Sequence, residues 1–199
     1  MAVPTNALRQ RLRDAAYVLR IREGTAPHPV PGNPIAQTDG SFPLPTPPGA
    51  IRPRQASRIG IMETPTYSRV DEQGLSPPEW EIEGQFLLTP RRANGQELDM
   101  YGFQRGLEHL IRYYLLTNRQ RGLEERALLV LEWHDFYADE HWQVAPAEVP
   151  LGQRDNARPL TESYRLRLRG VVPTVRIERP ADPVLLELTD PARVLRRLL

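Results

Sequence analysis

The sequence predicts a mainly β fold with α: an antiparallel β-barrel or sandwich with one inserted helix, plus an N-terminal helix and a proline-rich extended arm. Two observations carry the β assignment. Between Leu128 and Val172, apolar and polar residues alternate in three runs. Leu129, Leu131, Trp133 and Asp135 fall on one face of the first, Trp142, Val144 and Pro146 on one face of the second, and Tyr164, Leu166 and Leu168 on one face of the third. An earlier run, EWEIEGQFLL from Glu79 to Leu88, alternates likewise. A period of two marks half-buried antiparallel strands. A third observation supplies the helix: Phe103, Leu107, Leu110, Ile111 and Tyr114 recur at helical spacing between those strands.

In chain order, the first segment, 1–24, holds a helix over 6–22. Leu8, Leu12, Ala15, Ala16 and Leu19 form its stripe, Thr5 or Asn6 caps it, and Gly24 ends it. Residues 25–58 are rich in proline and poor in large apolar groups, so an extended arm ordered by neighbouring subunits is expected. Val30, Ile35, Phe42, Leu44 and Ile51 are its few anchors. Residues 59–178 form the β-domain. RIGIME is its first strand, and the inserted helix spans 99–118 with Asp99 at the cap and Gly122 beyond it as a stop. TVRIERP supplies an edge strand. Residues 179–199 form a C-terminal extension in which Asp190 and Pro191 start a helix.

Composition removes several chemistries. The chain has 199 residues, a net charge of +1 and no cysteine, so disulfides, thiolate metal sites and cysteine nucleophiles are excluded. All 26 basic residues are arginines, which removes Schiff-base and P-loop chemistry. The 21 prolines are about twice the usual ~5% and imply extended or turn-rich stretches. No apolar run reaches signal-peptide or membrane-spanning length, so a soluble protein made in the cytoplasm is expected.

The richest polar cluster is Glu132, His134, Asp135, Asp139, Glu140 and His141. Histidines and carboxylates bind divalent metals, which raises a metal-dependent hydrolase as one alternative. The spacing favours a solvated hairpin turn instead, because His134 and Asp135 point to opposite faces of a strand. Asp135 shares the Trp133 face, so it is expected to be buried and paired with Arg154 or Arg158. Arg165, Arg167 and Arg169 form a stripe that raises a nucleic-acid-binding module as a second alternative. No aromatics interleave with it, and the acidic stripe Glu79, Glu81 and Glu83 is the better partner, within the sheet or across a subunit boundary. The expected core is Trp80, Phe103, Leu107, Trp133, Trp142 and Tyr164. No serine lies in a G-x-S-x-G elbow, and no glycine-rich phosphate loop is present.

Five motifs then occur in a fixed order: W-x-I-x-G at Trp80, Ile82 and Gly84; L-x-W-x-D at Leu131, Trp133 and Asp135; W-x-V-x-P at Trp142, Val144 and Pro146; Arg154 and Pro159; and Y-x-L-x-L-x-G at Tyr164, Leu166, Leu168 and Gly170. This series, with the helix between the first two, resembles the bacteriophage tail baseplate proteins related to distal-tail proteins and hub–wedge connectors. It covers about residues 79–172; the proline-rich arm has no counterpart. The resemblance implies a non-enzymatic structural protein of the virion tail, present in several copies in a ring that joins tube, hub and wedge proteins. It implies no cofactor, metal, nucleic acid, membrane or small-molecule substrate.

Overall fold

The computed structural model describes residues 16–44, 48–63, 68–87, 91–93, 96–154 and 161–174. Each alternating run becomes a paired strand. In order these are β1 (Tyr17–Glu23), β2 (Ala26–Pro27), β3 (Ser41–Pro43), β4 (Ala50–Arg54), β5 (Ser57–Glu63), β6 (Ser68–Leu75), β7 (Glu79–Leu87), β8 (Arg91–Ala93), β9 (Gln96–Leu98), the helix α1 (Met100–Leu123), β10 (Val130–Asp135), β11 (Glu140–Pro146), β12 (Gln153–Arg154) and β13 (Thr161–Pro173). The main sheet has nine strands in the order β2-β1-β10-β11-β13-β7-β4, with β3 added beside β1 and β12 beside β13. Its path ends at β4 on one side and at β2 and β3 on the other, so among the described residues it is an open sheet, not a closed barrel. The β5–β6 and β8–β9 pairs form separate two-stranded ribbons. The fold is therefore mainly β and antiparallel, with one helix among the described residues.

α1 starts where Asp99 accepts a hydrogen bond from the Gly102 amide at 2.8 Å. It runs five residues beyond the expected end at Asn118, to Leu123. The apolar stripe stops at Tyr114, but polar anchors hold the last turns. Asn118 exchanges two hydrogen bonds with the Leu129 backbone. Arg121 is buried and donates to Glu23 and to the Ala127 carbonyl. Phe103, Leu107, Leu110 and Ile111 pack on one face of the sheet, in one cluster with Trp80, Phe86, Trp133 and Tyr164, with Trp142 half-buried against it.

Two expectations about the N-terminal third are corrected. Tyr17–Glu23 is a strand, not the end of a helix; residues 6–15 lie outside the described residues. Leu19 and Ile21 face the core, and Val18 is buried on the other side, so the segment satisfies both faces of a sheet interior. Pairing with β10 and β3 outweighs the helical spacing of the alanines and leucines before it. Gly24, at φ +58°, turns the β1–β2 hairpin rather than capping a helix.

The arm is likewise part of its own domain. Val30, Ile35, Phe42 and Leu44 are buried in the common core, and β4 pairs with β7. Asn33 fixes the crossing over α1. Its carboxamide oxygen accepts from the Ile35 and Ala36 amides at 2.9 Å, and its nitrogen donates to the Gly106 carbonyl at 2.7 Å. Few anchors suffice because each reaches a pocket in the chain's own helix and sheet. The boundary at 59 is thus misplaced: β1, β3 and β4 belong to the same sheet as β13. The helix start at Asp190 lies outside the described residues, as does all of the expected 174–180 strand but Thr174.

Candidate functional site

The outer face of the sheet carries a charge ladder. Antiparallel register sets Glu79 opposite Arg169, Glu81 opposite Arg167 and Glu83 opposite Arg165. Period-two geometry puts all six on one face, because Trp80, Ile82, Leu166 and Leu168 occupy the other. β4 adds a third strand to the ladder, with Arg52 opposite Glu81 and Arg54 opposite Glu79. Sequence reading missed these two arginines because they sit beside Pro53; the R-x-R spacing was the available signal.

Glu81 is the hub. Its carboxylate lies under the guanidiniums of Arg54, Arg165 and Arg167, nearly shielded from water. The outer pairs are looser: Arg52 with Glu83 at 3.3 Å, Arg169 with Glu79 at 3.5 Å and Arg167 with Glu148 at 3.7 Å. Five arginines meet four glutamates here. A cavity of about 370 Å³ opens at one end of the ladder, bordered by Arg54, Arg167, Arg169, Glu79, Glu81 and Ala147.

The histidine cluster is built differently from a turn. His134 and His141 are direct cross-strand partners, both buried. Their Nδ1 atoms face each other at 3.0 Å. His134 Nε2 lies 3.4 Å from Glu132, and His141 Nε2 lies 3.2 Å from Asp139. Phe136 stacks on His134 at 6.0 Å between centroids. His141 is thus not a solvated turn residue: the turn ends at Asp139, whose φ of +56° reverses the chain just before β11. Among the described residues no three histidine or carboxylate side chains converge on a point that would hold a metal.

Glu132 is the most heavily bonded member. Burial would raise its pKa, but hydrogen bonds from His134, Arg22 and Thr174 outweigh that and lower it to about 2. Arg22 Nε donates at 2.5 Å and Thr174 Oγ1 at 3.0 Å. Arg22 is 110 residues away in sequence, which is why sequence alone does not pair them.

Asp135 is buried, but its partners are local. Its Oδ1 accepts from the Tyr137 and Ala138 amides at 2.9 and 3.0 Å and shapes the turn. The expected partner Arg154 sits elsewhere in the backbone register. Arg154 lies opposite Glu162, near the start of β13, whereas the Asp135 end of the sheet meets Pro173 through Trp142. Arg158 lies outside the described residues.

Motif residues make contacts with one another. Tyr164 lies over Gly84, where an added Cβ would come within 2.4 Å of the phenol. Gly170 is held against Pro78, its amide donating to the Pro78 carbonyl at 2.7 Å. Trp80 donates from Nε1 to Glu140 at 3.2 Å and packs on Trp142 with centroids 5.7 Å apart. The Trp133 ring stacks on Tyr17 at 5.9 Å.

Comparisons with known proteins give little beyond this geometry. No family model and no curated protein matches the sequence. A chain in the structure of the phage p2 baseplate in its activated conformation with Sr is similar to this one at a TM-score of 0.33 and 11% identity, over 78% of this chain and 44% of that one. This chain therefore spans less than half the length of that neighbour.

Proposed function

We propose that this protein is a structural component of a phage or phage-like tail baseplate, joining tube or hub proteins to wedge proteins in a ring. The observation that carries the reading is the placement of the motif residues. The motifs at 80–84, 131–135, 142–146 and 164–170 lie on β7, β10, β11 and β13, which are contiguous in one sheet with α1 inserted in the chain between β7 and β10. Most of their side chains serve packing, strand approach or turn geometry, as Gly84 under Tyr164 and Trp80 against Trp142 show. Residues that build a scaffold fit a protein whose product is an assembly.

The hydrolase alternative finds no support in the His134–His141 pair: the imidazoles face each other, and the carboxylates sit on their far nitrogens. The nucleic-acid alternative is disfavoured by the ladder, which places a glutamate beside each arginine of the stripe. On our reading the partners are other tail proteins, several copies act together, and the protein resides in the virion after synthesis in the host cytoplasm. Purified tail particles from the source should contain the chain, and averaged images should place it as a ring at the baseplate. Its absence from purified particles would overturn the reading.

A further inference from the structure

We propose that the cavity at the end of the ladder is a receptor for one acidic side chain of a neighbouring protein, whose carboxylate enters between Arg54, Arg167 and Arg169. This deepens the baseplate reading and rests on it for the identity of the neighbour, though not for the chemistry.

Three features lead there. First, the three guanidiniums border one cavity of about 370 Å³, although they come from two strands that do not touch, β4 and β13, on either side of β7. Second, they are weakly engaged by the chain's own glutamates. Arg54 meets Glu81 at 3.8 Å, Arg167 meets Glu81 at 3.6 Å and Glu148 at 3.7 Å, and Arg169 meets Glu79 at 3.5 Å. All four distances exceed ordinary hydrogen-bond length, so these pairs are ionic neighbours rather than bidentate forks. Each guanidinium has five N–H donors in a planar fork that matches a carboxylate. Third, the cavity contains both polar and apolar groups. Ala147, exposed at the rim, offers apolar contact to the methylenes of an entering glutamate or aspartate.

Charge selects among anions. The cavity residues include three arginines against Glu79 and Glu81, a surplus of one positive charge, which a single carboxylate neutralises. A phosphodiester chain needs a continuous cationic track. Here Glu79, Glu83 and Glu148 stand part-exposed beside the arginines and interrupt any such track.

The test uses the full-length protein and side-chain ¹H–¹⁵N spectra of the arginine Nε groups. The probes are an acetylated, amidated peptide with three glutamates spaced by glycines, the same peptide with glutamines, and a single-stranded oligonucleotide of equal charge. We expect the glutamate peptide to shift Arg54, Arg167 and Arg169 and the glutamine peptide to shift none. Arg54→Gln with Arg169→Gln should weaken binding about fivefold or more. Both side chains are well exposed, so the fold should survive. Arg119→Gln, on the exposed face of α1, should leave binding unchanged. Glu79→Gln should tighten it, a gain that damaged folding does not produce. Equal affinity in the double variant, or tighter binding of the oligonucleotide than of the peptide, would overturn the receptor. The baseplate reading fails separately: a chain that binds the glutamate peptide but is absent from tail particles keeps the receptor and loses the assembly. Conversely, normal incorporation of the double variant into tail particles, with unchanged peptide affinity, loses the receptor alone.

Discussion

The Tyr164 ring lies across Gly84 on the neighbouring strand, so close that a methyl group on Gly84 would fall 2.4 Å from the phenol. The contact is sheet packing: Gly84 leaves out a side chain, and Tyr164 fills the space while stacking on Phe86 at 4.7 Å. Gly84→Ala should therefore destabilise the fold by about 1–3 kcal/mol through overpacking, measured by urea unfolding. Burial pushes the Tyr164 phenol well above its ordinary pKa, and its hydroxyl has no hydrogen-bond partner among the described residues. Tyr164→Phe should thus cost far less than Gly84→Ala, because it removes an unsatisfied group.

Trp133 should be the costliest aromatic to truncate. It is fully buried between Tyr17 and the helix-facing core. Trp133→Ala should cost about 3–5 kcal/mol by calorimetry or urea melt.

Asn33 should hold the proline-rich segment to α1. Asn33→Ala removes three hydrogen bonds at a buried position, at a cost of about 1–3 kcal/mol. Faster amide exchange should appear around Val30 and Ala36 before the sheet opens. Trypsin should spare Arg20 and Arg22 in the free protein, because both lie within the paired strand β1.

Acid should loosen the seam between β1 and β10. The Glu132 carboxyl is depressed from 4.5 to about 2 in the folded protein. A carboxylate held below its unfolded value contributes stability above that value and loses it as pH falls through the folded one. Stability should thus decline between about pH 4.5 and pH 2, and Glu132→Gln should flatten that decline while lowering stability at neutral pH. An unchanged acid slope in Glu132→Gln would assign the effect to other carboxyls.

Reversing the ladder should test pairing within the sheet. Glu79, Glu81 and Glu83 changed together to arginine should destabilise the protein, and arginine-to-glutamate changes at 165, 167 and 169 should partly restore it. The buried hub at Glu81 should dominate; the exposed outer pairs should contribute roughly 0.2–1 kcal/mol each.

The sequence by itself determined the strands whose neighbours alternate cleanly. In β7, β10, β11 and β13 a period of two sorts each residue to a face, and α1 announces itself by its stripe and the Asp99 cap. It also marked the acidic and arginine stripes as partners by charge, but left open whether they meet within the sheet or across a subunit boundary; the β7–β13 register sets them side by side. What only tertiary structure decided are the features set by distant partners. Tyr17–Glu23 is a strand because β3 and β10 flank it, the prolines of 25–58 do not prevent burial because Asn33 and Phe42 find α1, and Arg22 meets Glu132 across 110 residues. Local pattern fixes which face a residue occupies; only the closed chain fixes what stands opposite it.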